Sequence, residues 1–436
     1  MDVAIIAVLT LVTYLLLGGP LPFCFGLALI VLNYVGDVSM GGMLMWGLAQ
    51  LANPTMLTIP LFLFAGNLMG KSGIAENLLN FVDIFVGRIK GGLGVVSIIT
   101  CAIIGAITGA AMTGVATIGP IMMPAMKKQG YPRGYTTAVV STASVLGQLI
   151  PPSIIMIVYG WITETSILVC FVSTLLPGLM ITLTLSIVNL IVAKRFNLII
   201  PAAAAMIAGN KNKTRAYAQA TWKALPALMM PVIILGGIYG GVLTTTEAAA
   251  VSVLYSLPVG FFVYKGLNKQ SYMETAFDSA TTVGTIMVMI MMSLIVGQSF
   301  TMLELPQAVA KAMLSISTNK IVILLMVNLL LLLLGMLVSD VSGVILVVPL
   351  LLPLMQEIGV STVHFGAIVG VNLAMGGITP PYAAVLYLGM KIGNSGFTET
   401  VKYILLLLVV AYVPVLLLTT FVPEVSMFFP KLLGLM

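Results

Sequence analysis

Two stretches of this 436-residue chain repeat one another around a double proline, at a constant distance of 229 residues. Gly119-Pro120-Ile121-Met122-Met123-Pro124 leads to Gln148-Leu149-Ile150-Pro151-Pro152, and Val348-Pro349-Leu350-Leu351-Leu352-Pro353 leads to Gly377-Ile378-Thr379-Pro380-Pro381. Pro120, Pro124, Gly130, Gly147, Pro151 and Gly160 each meet an identical residue at that offset, with no gap between them. Composition alone does not keep such a register. Proline lacks the N–H that an interior helical position needs, so each double proline breaks the helix that contains it. A break repeated in both halves of an apolar chain marks a transporter binding site.

The surrounding chain belongs in a bilayer. It is 60% hydrophobic and 7% charged, and apolar runs of spanning length recur along it. A soluble fold could not cover that surface. The start, Met1-Asp2-Val3-Ala4-Ile5, has no basic region or small-residue cleavage site and reads as a retained helix. Cys24, Cys101 and Cys170 are scattered in apolar segments and read as small buried residues. The net charge of +6 follows from loop topology and implies no nucleic-acid partner.

Ala65-Gly66-Asn67 resembles Val296-Gly297-Gln298 at an offset of 231, which extends the repeat outward. A first repeat over 1–193, a cytoplasmic linker over 194–216 and a second repeat over 217–436 follow. Each repeat reads as two helices, a third helix (55–70 and 281–302), an interfacial helix (72–89 and 304–317), a paired segment, a broken helix and a last helix. The paired segments, 92–126 and 319–356, are too long for one span and turn at Thr108-Gly109-Ala110-Ala111-Met112-Thr113 and Ser339-Asp340-Val341-Ser342-Gly343. We read them as re-entrant hairpins facing the broken helices 135–160 and 362–390. The fold class is therefore all-α: about ten spanning helices, two re-entrant hairpins and two broken helices, in two inverted repeats.

Charge gives the orientation. With five crossings per half the second half is inverted, and sixteen of the 19 Lys and Arg residues fall on one face, Arg88 and Lys211 among them. Lys311, Lys320 and Lys431 fall on the other. That face with sixteen is cytoplasmic. Both termini are then periplasmic, the first hairpin opens to the cytoplasm and the second to the periplasm.

The breaks and tips carry the chemistry. Pro151 and Pro152 release the carbonyls of Gly147 and Gln148, and Pro380 and Pro381 release those of Gly376 and Gly377. Freed oxygens beside a hairpin tip suit a small hard cation such as Na+, and the helix N-terminus at each tip suits an anion. The first ion site is expected at Thr108, Gly109, Thr113, Gly147, Gln148, Ile150 and Pro151. The second is expected at Gly335, Ser339, Asp340, Ser342, Gly376, Gly377, Thr379 and Pro380. Thr108, Thr113, Ser153, Ser339, Ser342 and Tyr382 are the candidates for substrate. Asp340, an acid at membrane depth, also reads as part of a helix cap with Ser339 and Ser342. Thr244-x-x-Glu247 reads as a capping box, and His364, after the polar turn at Ser361-Thr362, as a solvated loop residue. No nucleophile–base pair, paired acids or metal-ligand spacing supports an enzyme.

Ile150-Pro151-Pro152-Ser153-Ile154 with Tyr159-Gly160, Gly130-Tyr131 and Gly376-Gly377-Ile378-Thr379-Pro380-Pro381 resembles the large membrane subunit of tripartite ATP-independent periplasmic (TRAP) transporters. Pro60-Leu61-Phe62, Ala65-Gly66, Ser72-Gly73-Ile74-Ala75 and Thr246-Glu247-Ala248-Ala249 fit the same pattern. The resemblance implies a Na+-driven, elevator-type importer of organic acids such as sialic acid or C4-dicarboxylates in the bacterial inner membrane. It also implies a separate small membrane subunit of about four helices and a periplasmic substrate-binding protein. The first tip departs from the pattern, lacking the serines and acid usual there, so its ligands would be backbone carbonyls with Thr108 or Thr113. The second break, at Pro380-Pro381, is the better furnished. A free-standing organic-anion symporter of related fold is the alternative.

Overall fold

Proline and glycine set where the helices stop. A computed structural model describes residues 2–36, 38–87, 89–198, 213–381 and 383–436. Arg88, Lys211, Tyr382 and most of the expected linker lie outside the described residues. The first half runs α1 (Asp2–Leu16), α2 (Leu21–Gly36), α3 (Met40–Leu51), α4 (Thr58–Lys71), α5 (Ile74–Val86), α6 (Gly92–Thr108), α7 (Ala111–Lys128), α8 (Arg133–Ser144), α9 (Ile154–Ile162) and α10 (Ile167–Ala193). The second runs α11 (Lys213–Tyr239), α12 (Thr245–Pro258), α13 (Lys269–Met302), α14 (Leu305–Ile316), α15 (Lys320–Leu337), α16 (Asp340–Glu357), α17 (Thr362–Gly376), α18 (Ala384–Gly393), α19 (Phe397–Leu407), α20 (Val413–Phe421) and α21 (Pro423–Leu432).

The same series of long, short, paired and interrupted helices thus occurs twice. Both Pro-Pro bonds are cis, a further likeness between the halves. The halves differ at the third helix. α13 is one rod of 34 residues, whereas its counterpart is α3 and α4, bent by 61°. The glycine-rich Met40–Leu51 was not expected to be helical, and α13 begins twelve residues before the expected 281. Asn53 causes the bend: its side chain accepts from Thr55 N at 3.0 Å and starts a short 3-10 turn at Pro54.

Among the described residues seven helices are long and apolar enough to cross a membrane alone, eight with the bent pair counted as one. The expected ten included shorter pieces. α1 has 15 residues, and α8 and α9 have 12 and 9. At about 1.5 Å per residue none of these alone crosses about 30 Å of hydrocarbon.

Packing sorts the helices into two groups. In one, α4 lies on α12 and α13, α2 and α3 lie on α13, and α11 lies on α5 and α12. In the other the halves interleave: α18 packs on α7 and α8, α19 on α8, and α9 on α16. The groups meet where α4 and α5 pack on α6 and where α13 crosses α16.

Candidate functional site

Each hairpin turns at a local instruction. α6 ends at Gly109, whose φ of +65° is the left-handed conformation that ends helices cheaply in glycine. Ala110 is extended and α7 starts with no side-chain cap. α15 ends at Val338, and Ser339 caps α16 by accepting from Ser342 N at 3.3 Å. Asp340 is therefore the first residue of α16, where its negative charge suits the helix dipole.

Glycine pairs then dock each hairpin on its broken helix. A Cβ on Gly147 would fall 2.8 Å from Gly105 Cα, and one on Gly376 would fall 2.6 Å from Gly335 Cα. Both are backbone clashes, so only glycine allows the approach. Gly105 was missed as a site residue. Its position 230 residues before Gly335 was the available signal. Gly66 of α4 makes the same kind of contact with the first tip, its Cβ position being 2.8 Å from Thr108 Cα.

The two tips and two breaks open on one cavity of about 760 Å³. Gly109, Ala110, Ala111, Met112 and Thr113 line it from the first tip, and Ser339, Asp340 and Val341 from the second. Gln148 and Ile154 border it from the first break, and Gly377 and Ala384 from the second. The far wall is α4, α5 and α13, through Asn67, Lys71, Glu76, Thr275, Asp278 and Thr282. Asn67 Nδ2 donates to Ser279 Oγ at 3.0 Å, which ties α4 to α13 behind it. The wall residues on α5 and α13 do not sit in the duplicated motif, and sequence reasoning did not reach them.

Gln148 and Asp340, expected in separate sites, are bonded to each other. Gln148 Nε2 donates to Asp340 Oδ2, joining the first break to the second tip. Tyr412 OH reaches the same region from the second half, donating to Thr142 O at 2.6 Å.

Several candidates serve the fold instead of facing the cavity. Ser153 Oγ donates to Gln148 O at 2.5 Å and accepts from Met156 N, so it closes the break and caps α9. The Gln148 carbonyl is thereby taken up. Thr108 is buried and bonds across its own turn with Ala110. Ser342 is buried and accepts from Ser293 Oγ of α13 at 3.3 Å. Gly376 O accepts from Thr379 N at 2.9 Å, and Thr379 Oγ1 donates to Met375 O at 2.7 Å. Ile150, Pro151 and Pro152 are buried, whereas Thr379 and Pro380 are half-exposed. Tyr382 lies outside the described residues.

Glu247 forms the expected capping box, accepting from Thr244 N at 2.8 Å while Thr244 Oγ1 accepts from Glu247 N. His364 corrects the reading of a solvated loop. Ser361 starts α17 immediately before it, so His364 lies in the first turn, 4% exposed, with Nε2 2.7 Å from Thr419 O. A buried chain of amides, also unforeseen, braces the second break. Asn372 Nδ2 donates to Asn328 Oδ1 at 2.7 Å, and Asn328 Nδ2 donates to Thr420 Oγ1 at 3.0 Å.

The family model "Tripartite ATP-independent periplasmic transporter, DctM component" matches residues 8–425. The isethionate TRAP transporter permease DctMQ of Oleidesulfovibrio alaskensis is 35% identical over 95% of this chain, which spans 64% of that protein. The sialic acid TRAP transporter large permease SiaM of Vibrio cholerae is 32% identical, over 92% of this chain and 90% of its own. The C4-dicarboxylate TRAP transporter large permease DctM of Pseudomonas aeruginosa is 33% identical over 87% of each chain. Among solved structures, the Alcanivorax borkumensis YdaH transporter superposes with a TM-score of 0.58 at 15% identity, over 86% of this chain and 87% of that one. That likeness concerns the fold alone.

Proposed function

Since the chain belongs to the DctM family of tripartite ATP-independent periplasmic transporters, a family of multi-pass membrane permeases, we propose that it is the large subunit of a Na+-coupled importer of a small organic acid. The observation that carries this reading is the single cavity bordered by both tips and both breaks. The N-terminal N–H groups of α7 face it and suit a carboxylate, with Thr113 and Ser339 as hydroxyl partners. Backbone oxygens at Gly147 and Gly377 suit Na+, and Gly376 O, which accepts one bond from Thr379 N, keeps a second lone pair for it, with Thr379 Oγ1 beside it. Ordering of the tips by Na+ would complete the substrate site.

In this reading the repeats are inverted and both termini are periplasmic. The cavity then opens inward, because Lys71, Glu76 and Asp278 at its mouth lie at the ends of α4, α5 and α13 on the lysine-rich face. The group holding hairpins and broken helices slides against the group of α1–α5 and α11–α13. A small membrane subunit and a periplasmic binding protein complete the system, as the TRAP names of the relatives suggest. Uptake by proteoliposomes holding the chain with both partners should rise with an inward Na+ gradient. Uptake that proceeds equally without Na+ would refute the coupling, and uptake without a binding protein would favour the free-standing symporter.

A further inference from the structure

The two ends of the cavity have opposite polarity. At the first tip α7 begins uncapped, so the N–H groups of its first turn have no side-chain acceptor. At the second tip Ser339 already caps α16, and Asp340 stands there as an acceptor. Gln148 lies between them on the cavity wall. A carboxylate only accepts, so the amide turns its nitrogen to Asp340. Gln148 Oε1 is left buried with no hydrogen-bond partner, in a side chain only 5% exposed. Leaving such an oxygen unpaired costs about 1–3 kcal/mol.

Charge adds to this. Among the described residues lining the cavity, Lys71 is the one cation, set against Glu76, Asp278 and Asp340. Glu76, Asp278 and Lys71 are exposed at the mouth, which leaves Asp340 as the interior charge. A simple organic anion would meet that carboxylate with no cationic side chain between them among the described lining residues.

We propose that the substrate is a zwitterion, an amino-carboxylate or a related compound, with its carboxylate at the N-terminus of α7 and its ammonium between Asp340 and Gln148 Oε1. An ammonium has three donors and one positive charge, which meets the carboxylate and the orphan amide oxygen together. The assignment rests on the transporter reading and refines its substrate class.

The test is Na+-dependent binding to the purified chain with its small subunit, without the binding protein. The probes are matched pairs of 2-amino and 2-hydroxy acids of the same carbon skeleton, together with 4-aminobutyrate. The amino member of a pair should bind at least about tenfold more tightly. Asp340→Asn should bring the pair to parity without shifting the Na+ concentration for half-maximal thermal stabilisation. Gln148→Met, which keeps the volume, should narrow the preference in the same direction. Equal binding of both members, or no binding by any probe, overturns the assignment. A loss of Na+ affinity in Asp340→Asn with the preference intact also overturns it and makes Asp340 an ion ligand. Na+-driven uptake by the three-part system would survive either result, whereas its absence would refute the transporter reading itself.

Discussion

Two adjacent glycines show how finely the site depends on single atoms. At Gly376 an added Cβ would meet the Gly335 backbone at 2.6 Å, but at Gly377 its nearest neighbour is Ala374 O at 3.6 Å, an ordinary contact. Both residues have helical backbone or flank it, so alanine carries no conformational penalty there. Gly376→Ala should therefore force α17 off α15, lower stability by about 1–3 kcal/mol and abolish uptake. Gly377→Ala should stay within about 0.5 kcal/mol, though it lines the cavity. Thermal unfolding in detergent with uptake in the same two variants checks the pair, and equal losses in both would contradict the packing argument. The amide chain gives a second residue-level expectation. Asn328→Ala leaves the Asn372 amide short of an acceptor in a buried site and should cost about 1–3 kcal/mol, seen as a lower melting temperature.

At the scale of elements, the first hairpin presents Met112, 49% exposed, at the start of α7 on the cavity. Met112→Cys should react with a membrane-impermeant maleimide from the cytoplasmic side, and substrate with Na+ should protect it. Labelling only from the periplasm would reverse the assigned orientation. The native thiols give little background, since Cys24, Cys101 and Cys170 are buried. Hairpin limits were legible in the sequence to within about two residues, because Gly109, Ser339 and the flanking glycines act on their own turns. The third helix of the first half was not. Met40–Leu51 holds glycines at 41, 42 and 47, a weak intrinsic helix former that tertiary packing on α13 overrides. His364 failed for a related reason: the polar turn before it is a cap, and α20 covers what a loop would expose. The Gln148–Asp340 bond lay beyond reach altogether, because it joins residues 192 apart through the interleaving of the halves. Duplication predicts equivalent positions, and contacts between non-equivalent ones need the assembled fold.

For the whole molecule, the decisive question is whether the two helix groups move past each other. Their boundary includes two direct polar contacts between α13 and the second hairpin among the described residues: Ser339 Oγ donates to Met289 Sδ at 3.4 Å, and Ser293 Oγ donates to Ser342 Oγ at 3.3 Å. The Ser293 and Ser342 hydroxyls touch, so cysteines at these two positions are the pair to test as a crosslink between α13 and α16. If the hairpin group slides during each cycle, both contacts must break and reform. Ser293→Cys with Ser342→Cys should then lose uptake on mild oxidation and regain it with a reductant, while each single variant stays active and insensitive to oxidant. Binding of substrate to the oxidised double variant should persist, because the cavity itself is left assembled. Full uptake with the crosslink verified by mass spectrometry would show that transport proceeds with α13 and α16 fixed, and would limit movement to the tips.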